Sequence, residues 1–414
     1  RAGYAFKGWT VSWTDSTHSS TIPTSSGTTL TIPANCYGNI TLTATWTANS
    51  VNISANPAKL SLVYGYSSGN TSTITTSNGS GSYSYAIIST SKTGNWSLSA
   101  TSGTSITLTF AKGQNVASNY TVTIRVTDTV NSTTADVTVT AVVTKANSSI
   151  ATKPTAKSLT YNGTAQALVN AGSASGGTIQ YKVGTGSYST NIPTGIDAGS
   201  YTVYYYVKGD GNHNDTAEEN LTVKINQKSL TLNWSNTSFT YNGSEQKPSA
   251  TVETGITGQS ITFNYNVTAK SGSSLSNGKS VNVGSYTITA AGVAGSNTNL
   301  NNYSLSPLSK DFTITRASGS FTFNDGTFTY DGNSHSISAT NVVGGTVTYS
   351  ETENGTYSTT AVSKTNAGTY TIYAKFNPDA NHSGVATKTA KLIINKANNP
   401  MTVTTPQSIS MTYS

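Results

Sequence analysis

The sequence predicts an all-β protein, a tandem array of β-sandwich modules, and three observations predict it. The first is repetition. Thr160-Tyr161-Asn162-Gly163 returns as Thr240-Tyr241-Asn242-Gly243 and as Thr329-Tyr330-Asp331-Gly332. Each is followed by a second match: Ala198-Gly199-Ser200-Tyr201-Thr202-Val203, Val283-Gly284-Ser285-Tyr286-Thr287-Ile288 and Ala367-Gly368-Thr369-Tyr370-Thr371-Ile372. The second observation is alternation with period two. Tyr201, Val203, Tyr205 and Val207 fall on one side of a strand, and Thr202, Tyr204, Tyr206 and Lys208 on the other. Successive strand side chains point to opposite faces, so one face can pack while the other meets water. The third is that no window sustains a helical period; residues Asp215 to Asn220 form the one segment compatible with a helical turn.

Taken in order, residues 1–48 form a small, partial β module, carried by Gly3-Tyr4-Ala5-Phe6-Lys7-Gly8-Trp9 and Leu42-Thr43-Ala44-Thr45-Trp46. Trp9, Val11 and Trp13 share a strand face, a placement that favours core. Residues 49–145 form a β-sandwich in which Tyr120, Val122, Ile124 and Val126 alternate, followed by Val137, Val139, Ala141 and Val143. Residues 146–226, 227–315 and 316–397 are the three repeated modules. They close on Leu221, Val223 and Ile225, on Phe312 and Ile314, and on Leu392 and Ile394. The junctions after them are two or three residues long, which limits bending and predicts an elongated rod. Residues 398–414 match the opening of the 49–145 module and read as the first strand of a further copy, so the chain is expected to continue beyond Ser414; Arg1 reads as a cut within a longer protein.

Composition bounds the function. Only 9% of the 414 residues are charged, against about 25% in an average chain, so Thr, Ser, Asn and Gly fill the polar positions. The net charge of +7 is spread without a basic stripe interleaved with aromatics, which argues against nucleic-acid binding. A single cysteine, Cys36, excludes an intrachain disulfide, and no stretch approaches the length of a membrane span.

Candidate chemistry is sparse. His213 and His382 sit at equivalent loop positions, with Asn301-Asn302-Tyr303 at that place in the middle copy. No nucleophile–base–acid pattern accompanies them, nor His18 or His335. Glu218 and Glu219 are adjacent in a strand and should face apart, unlike a glycosidase pair. Asp210, Asn212, Asn214 and Asp215 place oxygen donors in a Gly-containing loop and are the candidate Ca²⁺ ligands, the one cofactor considered. No Glu follows at the spacing of an EF-hand, and Asp and Asn equally serve turns by bonding their own backbone. Tyr204 and Tyr206 are the candidate ligand-binding surface, for a glycan; an inter-module contact or a cross-strand pair would equally explain them. An intramolecular isopeptide bond would need a buried lysine. The recurring junction lysine is replaced by Arg316 in one copy, which argues against that position.

Family resemblances add to this reading. The Tyr-Asn-Gly and Ala-Gly-x-Tyr-Thr-Val motifs of residues 146–397 resemble the MBG ("mostly beta, glycine-rich") domains of bacterial adhesins. Residues 119–128 resemble the late strands of bacterial immunoglobulin-like domains, and residues 1–48 resemble part of the Listeria–Bacteroides, or internalin B-type, repeat. The resemblance implies an extracellular place on a bacterial surface and no activity. The expected function is a structural stalk, not an enzyme, that projects a binding domain, its partners being neighbouring domains of a longer chain. Two alternatives are repeated glycan- or host-protein-binding modules acting by avidity, and a filament or virion subunit in which a neighbour's strand completes residues 1–48 by self-association.

Overall fold

The computed structural model describes residues 1–14, 24–34, 36–92, 95–400 and 411. His18 and nearly all of the expected strand at 398–414 lie outside the described residues. The described chain is a tandem array of β-sandwich modules with one 3-10 turn, Leu300–Asn302. It divides into two compact units, residues 1–159, 165–195 and 200–225, and residues 160–164, 196–199 and 226–414. Among the described residues no helix is long and apolar enough to cross a membrane.

In the first unit, Tyr4–Thr14 pairs antiparallel with Asn39–Ala48, with a register shift between Phe6 and Gly8. Phe6 lies edge-on to Trp9 and Trp46, at 5.2 and 5.1 Å. The expectation that Trp9 and Trp13 are core is corrected: both are half-buried. Among the described residues the main sheet of this module is a two-stranded ribbon, which cannot enclose large aromatics on all sides.

Residues 52–144 fold as two four-stranded sheets. One has the order Asn52–Asn56, Thr71–Ser77, Ser105–Phe110, Trp96–Leu98; the other Lys59–Val63, Thr134–Thr144, Ala117–Asp128, Tyr83–Thr90. The alternating set Tyr120, Val122, Ile124 and Val126 is buried between them with Leu60, Ile74, Leu108 and Phe110. Burying each such side chain contributes roughly 1.5–3 kcal/mol, and alternation delivers them all to one face.

The repeated modules share one sheet order. In the 146–226 copy it runs Leu159–Thr160, Glu219–Asn226, Gly199–Gly209, Gly177–Val183. The second unit holds Ser238–Thr240, Ser309–Thr315, Gly284–Ala294, Ile261–Ala269, then Gly326–Thr329, Lys388–Asn395, Gly368–Pro378, Gly345–Ser350. Val203, Tyr205 and Val207 face the core of the first copy, as do Tyr286, Ile288 and Ala290 in the second and Ile372, Ala374 and Phe376 in the third. The packed face is therefore the alternating one read from the sequence. The suggested turn at Asp215–Asn220 is corrected. Residues 215–218 lie outside any helix, because Asp215 accepts from Lys208 Nζ and Gly209 N–H, while Thr216 Oγ takes Val207 N–H. These bonds tie the segment to the neighbouring strand.

The packed parts leave each of the four modules of residues 49–397 with the same features at its two ends. At one end are the tyrosine that opens its main sheet and an Asn/Asp-Ala/Val pair; at the other is the loop after its longest strand.

Candidate functional site

That loop is where the polar residues singled out from the sequence sit. In the first unit Asp210 Oδ1 accepts Asn212 N–H at 2.8 Å and pairs with His213 Nδ1 at 2.7 Å. A short Asp or Asn side chain can replace a backbone acceptor in this way and fix a tight turn. The His213 hydrogen bond, then that of the Asn212 amide, holds the Asp210 carboxyl below the usual carboxylate range. The imidazole lies over Gly176, where a Cβ would come within 2.6 Å of its ring carbon; Gly176 also has φ +77°, so the position admits glycine on both counts.

The rest of the loop points at the preceding module. Asn212 Oδ1 accepts Val116 N–H at 2.9 Å, and Asn212 Nδ2 donates to Asn115 Oδ1 at 3.0 Å. The ring of His213 stands edge-on to Tyr64, centroids 5.2 Å apart. The junction itself closes the arrangement: Ala146 N–H donates to Asn212 O at 3.0 Å, and Lys145 Nζ reaches Asp210 O at 3.5 Å.

The second unit repeats the loop bonds, with the junction base on a neighbouring carbonyl. Asp379 Oδ1 accepts Asn381 N–H at 2.8 Å and pairs with His382 Nδ1 at 2.7 Å, which lowers the Asp379 carboxyl below its usual range. Asn381 Oδ1 accepts Val283 N–H at 2.9 Å, Asn381 Nδ2 donates to Asn282 Oδ1 at 3.3 Å, and His382 stands edge-on to Tyr241 at 5.3 Å. Ala317 N–H donates to Asn381 O, and Arg316 Nε to Ala380 O. Arg316 thus serves the place of Lys145, which explains why the junction base tolerates exchange. Gly344 lies under His382 as Gly176 lies under His213.

A variant of the same arrangement lies elsewhere in the second unit, which includes residues 160–164 and 196–199. There Asn302 Oδ1 accepts Ala198 N–H at 2.7 Å, Asn302 Nδ2 donates to Asp197 Oδ1 at 2.8 Å, and Tyr303 stands edge-on to Tyr161 at 5.4 Å. Asn299 takes the part of the turn-forming Asp by accepting Asn301 N–H. Tyrosine replaces histidine here because Gln259 accepts its hydroxyl and in turn donates to Tyr161 Oη at 2.8 Å.

The receiving pair is held from inside its own module. Tyr286 Oη donates to Asn282 O at 2.6 Å and Tyr120 Oη to Asn115 O at 3.1 Å. The tyrosine of Val283-Gly284-Ser285-Tyr286 therefore does two things: it anchors the sheet, and its hydroxyl fixes the carbonyl of the pair that receives the next loop. The opening tyrosine is fixed likewise, since Tyr64, Tyr161, Tyr241 and Tyr330 all donate N–H to the last residue of their module's final strand, at 2.9 Å each.

This geometry gives each candidate its partners. Asp210, Asn212, Asn214 and Asp215 are each engaged with a different set of partners: His213, Val116 and Asn115, Asn147, and Lys208 respectively. Among the described residues no group of three or more His, Cys, Asp or Glu could hold a metal ion. His335 bonds Asp331 at 2.9 Å and stacks on Phe328, bracing the Tyr-Asp-Gly turn. Glu218 pairs with Lys182 and Tyr188, and Glu219 with Lys153 and Tyr205, so the two carboxylates face apart. Burial, and then Glu219, push the Tyr205 hydroxyl up to about 12. No lysine is fully buried among the described residues, as an isopeptide bond would require.

Tyr204 and Tyr206 lie on the outer face, half-buried, opposite Lys182 and Gln180 on the neighbouring strand. Lys182 Nζ sits 4.9 Å from the Tyr204 ring and 4.5 Å from that of Tyr188, which is edge-on to Tyr206. They are a cross-strand cluster of the 146–226 module. The third residues of the strands beginning at Gly199, Gly284 and Gly368 correspond, so the equivalents are Thr289 and Ala291, then Tyr373 and Lys375. The aromatic pair is not repeated.

The interlocking Asn212, Asn302 and Asn381 were not legible as such in the sequence, although the equivalence of His213, Tyr303 and His382 was. The available signal was an Asn directly before each of these rings, together with an Asn or Asp directly before each Val-Gly-x-Tyr or Ala-Gly-x-Tyr motif. Replacing Asn381 by alanine removes both arms at one junction. It is expected to destabilise the second unit by about 1–2 kcal/mol and to split its calorimetric transition, because neighbouring modules then unfold separately. An unchanged single transition would show that the loop does not couple them.

No protein-family model matches the chain, and no curated protein matches it. Among solved structures, a protocadherin gammaB7 EC3-6 cis-dimer is similar at 11% identity, covering 81% of this chain and 97% of that one, with TM-score 0.32. The human desmocollin-1 ectodomain is similar at 10% identity over 89% and 84%, TM-score 0.28, and Sidekick-1 immunoglobulin domains 1–5 at 9% over 95% and 96%, TM-score 0.24. Likeness this remote carries no argument about function.

Proposed function

We propose that the chain is a structural spacer from a large extracellular, adhesin-like bacterial surface protein, built of MBG and immunoglobulin-like modules, that displays a binding domain and has no catalytic chemistry of its own. The observation that carries this is the recurring Asn–ring lock. The side chains best suited to chemistry, the loop Asp, Asn and His residues, hold one module to the next, with the same bonds at two junctions. A chain with one cysteine forms no intrachain disulfide, and such locks supply the order that disulfides give other extracellular domains. The MBG resemblance of residues 146–397 supports the bacterial surface.

Pulling the chain by its ends tests the mechanical part. A spacer should unfold module by module, each repeated module of some 80–90 residues releasing about 280 Å of contour length at roughly 3.3–3.6 Å per residue. Arrays of glycans and host matrix proteins test the rest. The spacer should retain none of them; saturable binding abolished by Tyr204→Ala and Tyr206→Ala would instead establish a ligand-binding module.

A further inference from the structure

The receiving surface recurs once more, at residues 326–395, and there it is open. Tyr330 occupies the place of Tyr64, Tyr161 and Tyr241, with its N–H on Asn395 O at 2.9 Å. Tyr161, against Tyr303, is 4% exposed; Tyr330 is 41% exposed. The receiving pair is Asn366–Ala367, both exposed. It is preformed, since Tyr370 Oη donates to Asn366 O at 2.9 Å as Tyr286 does to Asn282 O. Among the described residues neither the Asn366 side-chain amide nor the Tyr330 ring has a partner of the kind its counterparts have. The residues after the final strand, Lys396–Ala397, repeat Lys145–Ala146, whose alanine N–H donates to the locking asparagine's carbonyl.

We propose that Tyr330, Asn366 and Ala367 form a docking site for a β module joined directly through Lys396–Ala397, whose loop offers an asparagine side chain followed by a histidine or tyrosine ring. The asparagine oxygen takes Ala367 N–H, its amide takes Asn366 Oδ1, and the ring stands edge-on to Tyr330. A second copy of this chain is a poorer occupant, because its own loops are already engaged: Asn212, Asn302 and Asn381 as described, and Asn131 with Gly3 O at 2.8 Å. This site is independent of whether the chain acts as a spacer.

The test is the full chain with residues 317–397 repeated directly after Lys396, in place of 397–414. Hydrogen exchange at Ala367 should slow by about tenfold or more against the parent chain, as for an amide newly bonded in a stable contact. Nitration of Tyr330 should fall with it. Asn381→Ala in the appended copy should restore both. If the appended copy is folded, shown by protected amides at its own Ile372 and Leu392, and Ala367 and Tyr330 remain as in the parent, the proposal is wrong. If that copy does not fold, residues 146–226 with Asn212–His213 are appended instead and read the same way. Protection of Ala367 that rises with concentration in the parent chain would assign the surface to a second copy and overturn the proposal.

Discussion

Tyr286→Ala is expected to destabilise the second unit by about 4 kcal/mol, within the range for deleting a fully buried aromatic. Tyr286 is 0% exposed, stacks on Phe312 with centroids 5.3 Å apart, and packs with Ile288 and Ile314. Its loss opens a cavity between rigid strands and also frees the Asn282 carbonyl, so the lock to Asn381 should loosen with it. Tyr286→Phe keeps the ring and removes the hydroxyl, and should cost about 1 kcal/mol. The repeat alone suggests equal costs, about 3 kcal/mol or more, at Tyr201, Tyr286 and Tyr370. The structure separates them: Tyr201 and Tyr370 are only half-buried, so alanine there should cost about half as much. Urea unfolding of the three variants decides; equal losses, or a loss below about 1 kcal/mol for Tyr286→Ala, would refute the packing described.

The second large effect is expected at Asp128. This carboxylate is 0% exposed at the end of strand Ala117–Asp128. It accepts Ser80 N–H and Ser80 Oγ–H on one side and Val130 and Asn131 N–H on the other, ordering the loop whose Asn131 reaches Gly3. Burial pushes its pKa up, but the hydrogen bonds from Ser80 and from the two loop amides outweigh this and leave it below the usual carboxylate value. Asp128→Asn puts an amide donor where N–H groups need an acceptor. It should cost about 3 kcal/mol at neutral pH, as for a buried group left unsatisfied. Because the folded value is the lower one, the stabilisation from Asp128 is present above the ordinary carboxylate range and is lost as pH falls through the folded value. The gap between parent and variant should therefore narrow on acidification. A gap independent of pH would mean that Asp128 acts by shape alone.

Much of the molecule was legible because its signals are local. Alternation around Ile124, Val203 and Ile372 names the buried face within a few residues, and Asn162-Gly163 or Asp331-Gly332 names a turn, since Gly163 and Gly332 adopt φ near +81°. The same locality explains what the pattern left undecided. Trp9 and Trp13 alternate as core residues do, but burial also requires a second layer, which a strand pattern does not report. Asp210 to Asp215 carry the right atoms for calcium, yet whether oxygens converge on one point depends on where each side chain is pulled.

By itself the sequence determined the strands, their packed faces and the repetition of the modules, because period-two patterning and turn chemistry act over neighbouring residues. The tertiary structure alone decided what the polar loops do. Asn212 meets Val116, and Asn381 meets Val283, across 96 and 98 residues of chain. A hydrogen bond is fixed by position in space to within a few tenths of an ångström, and no local pattern carries that distance.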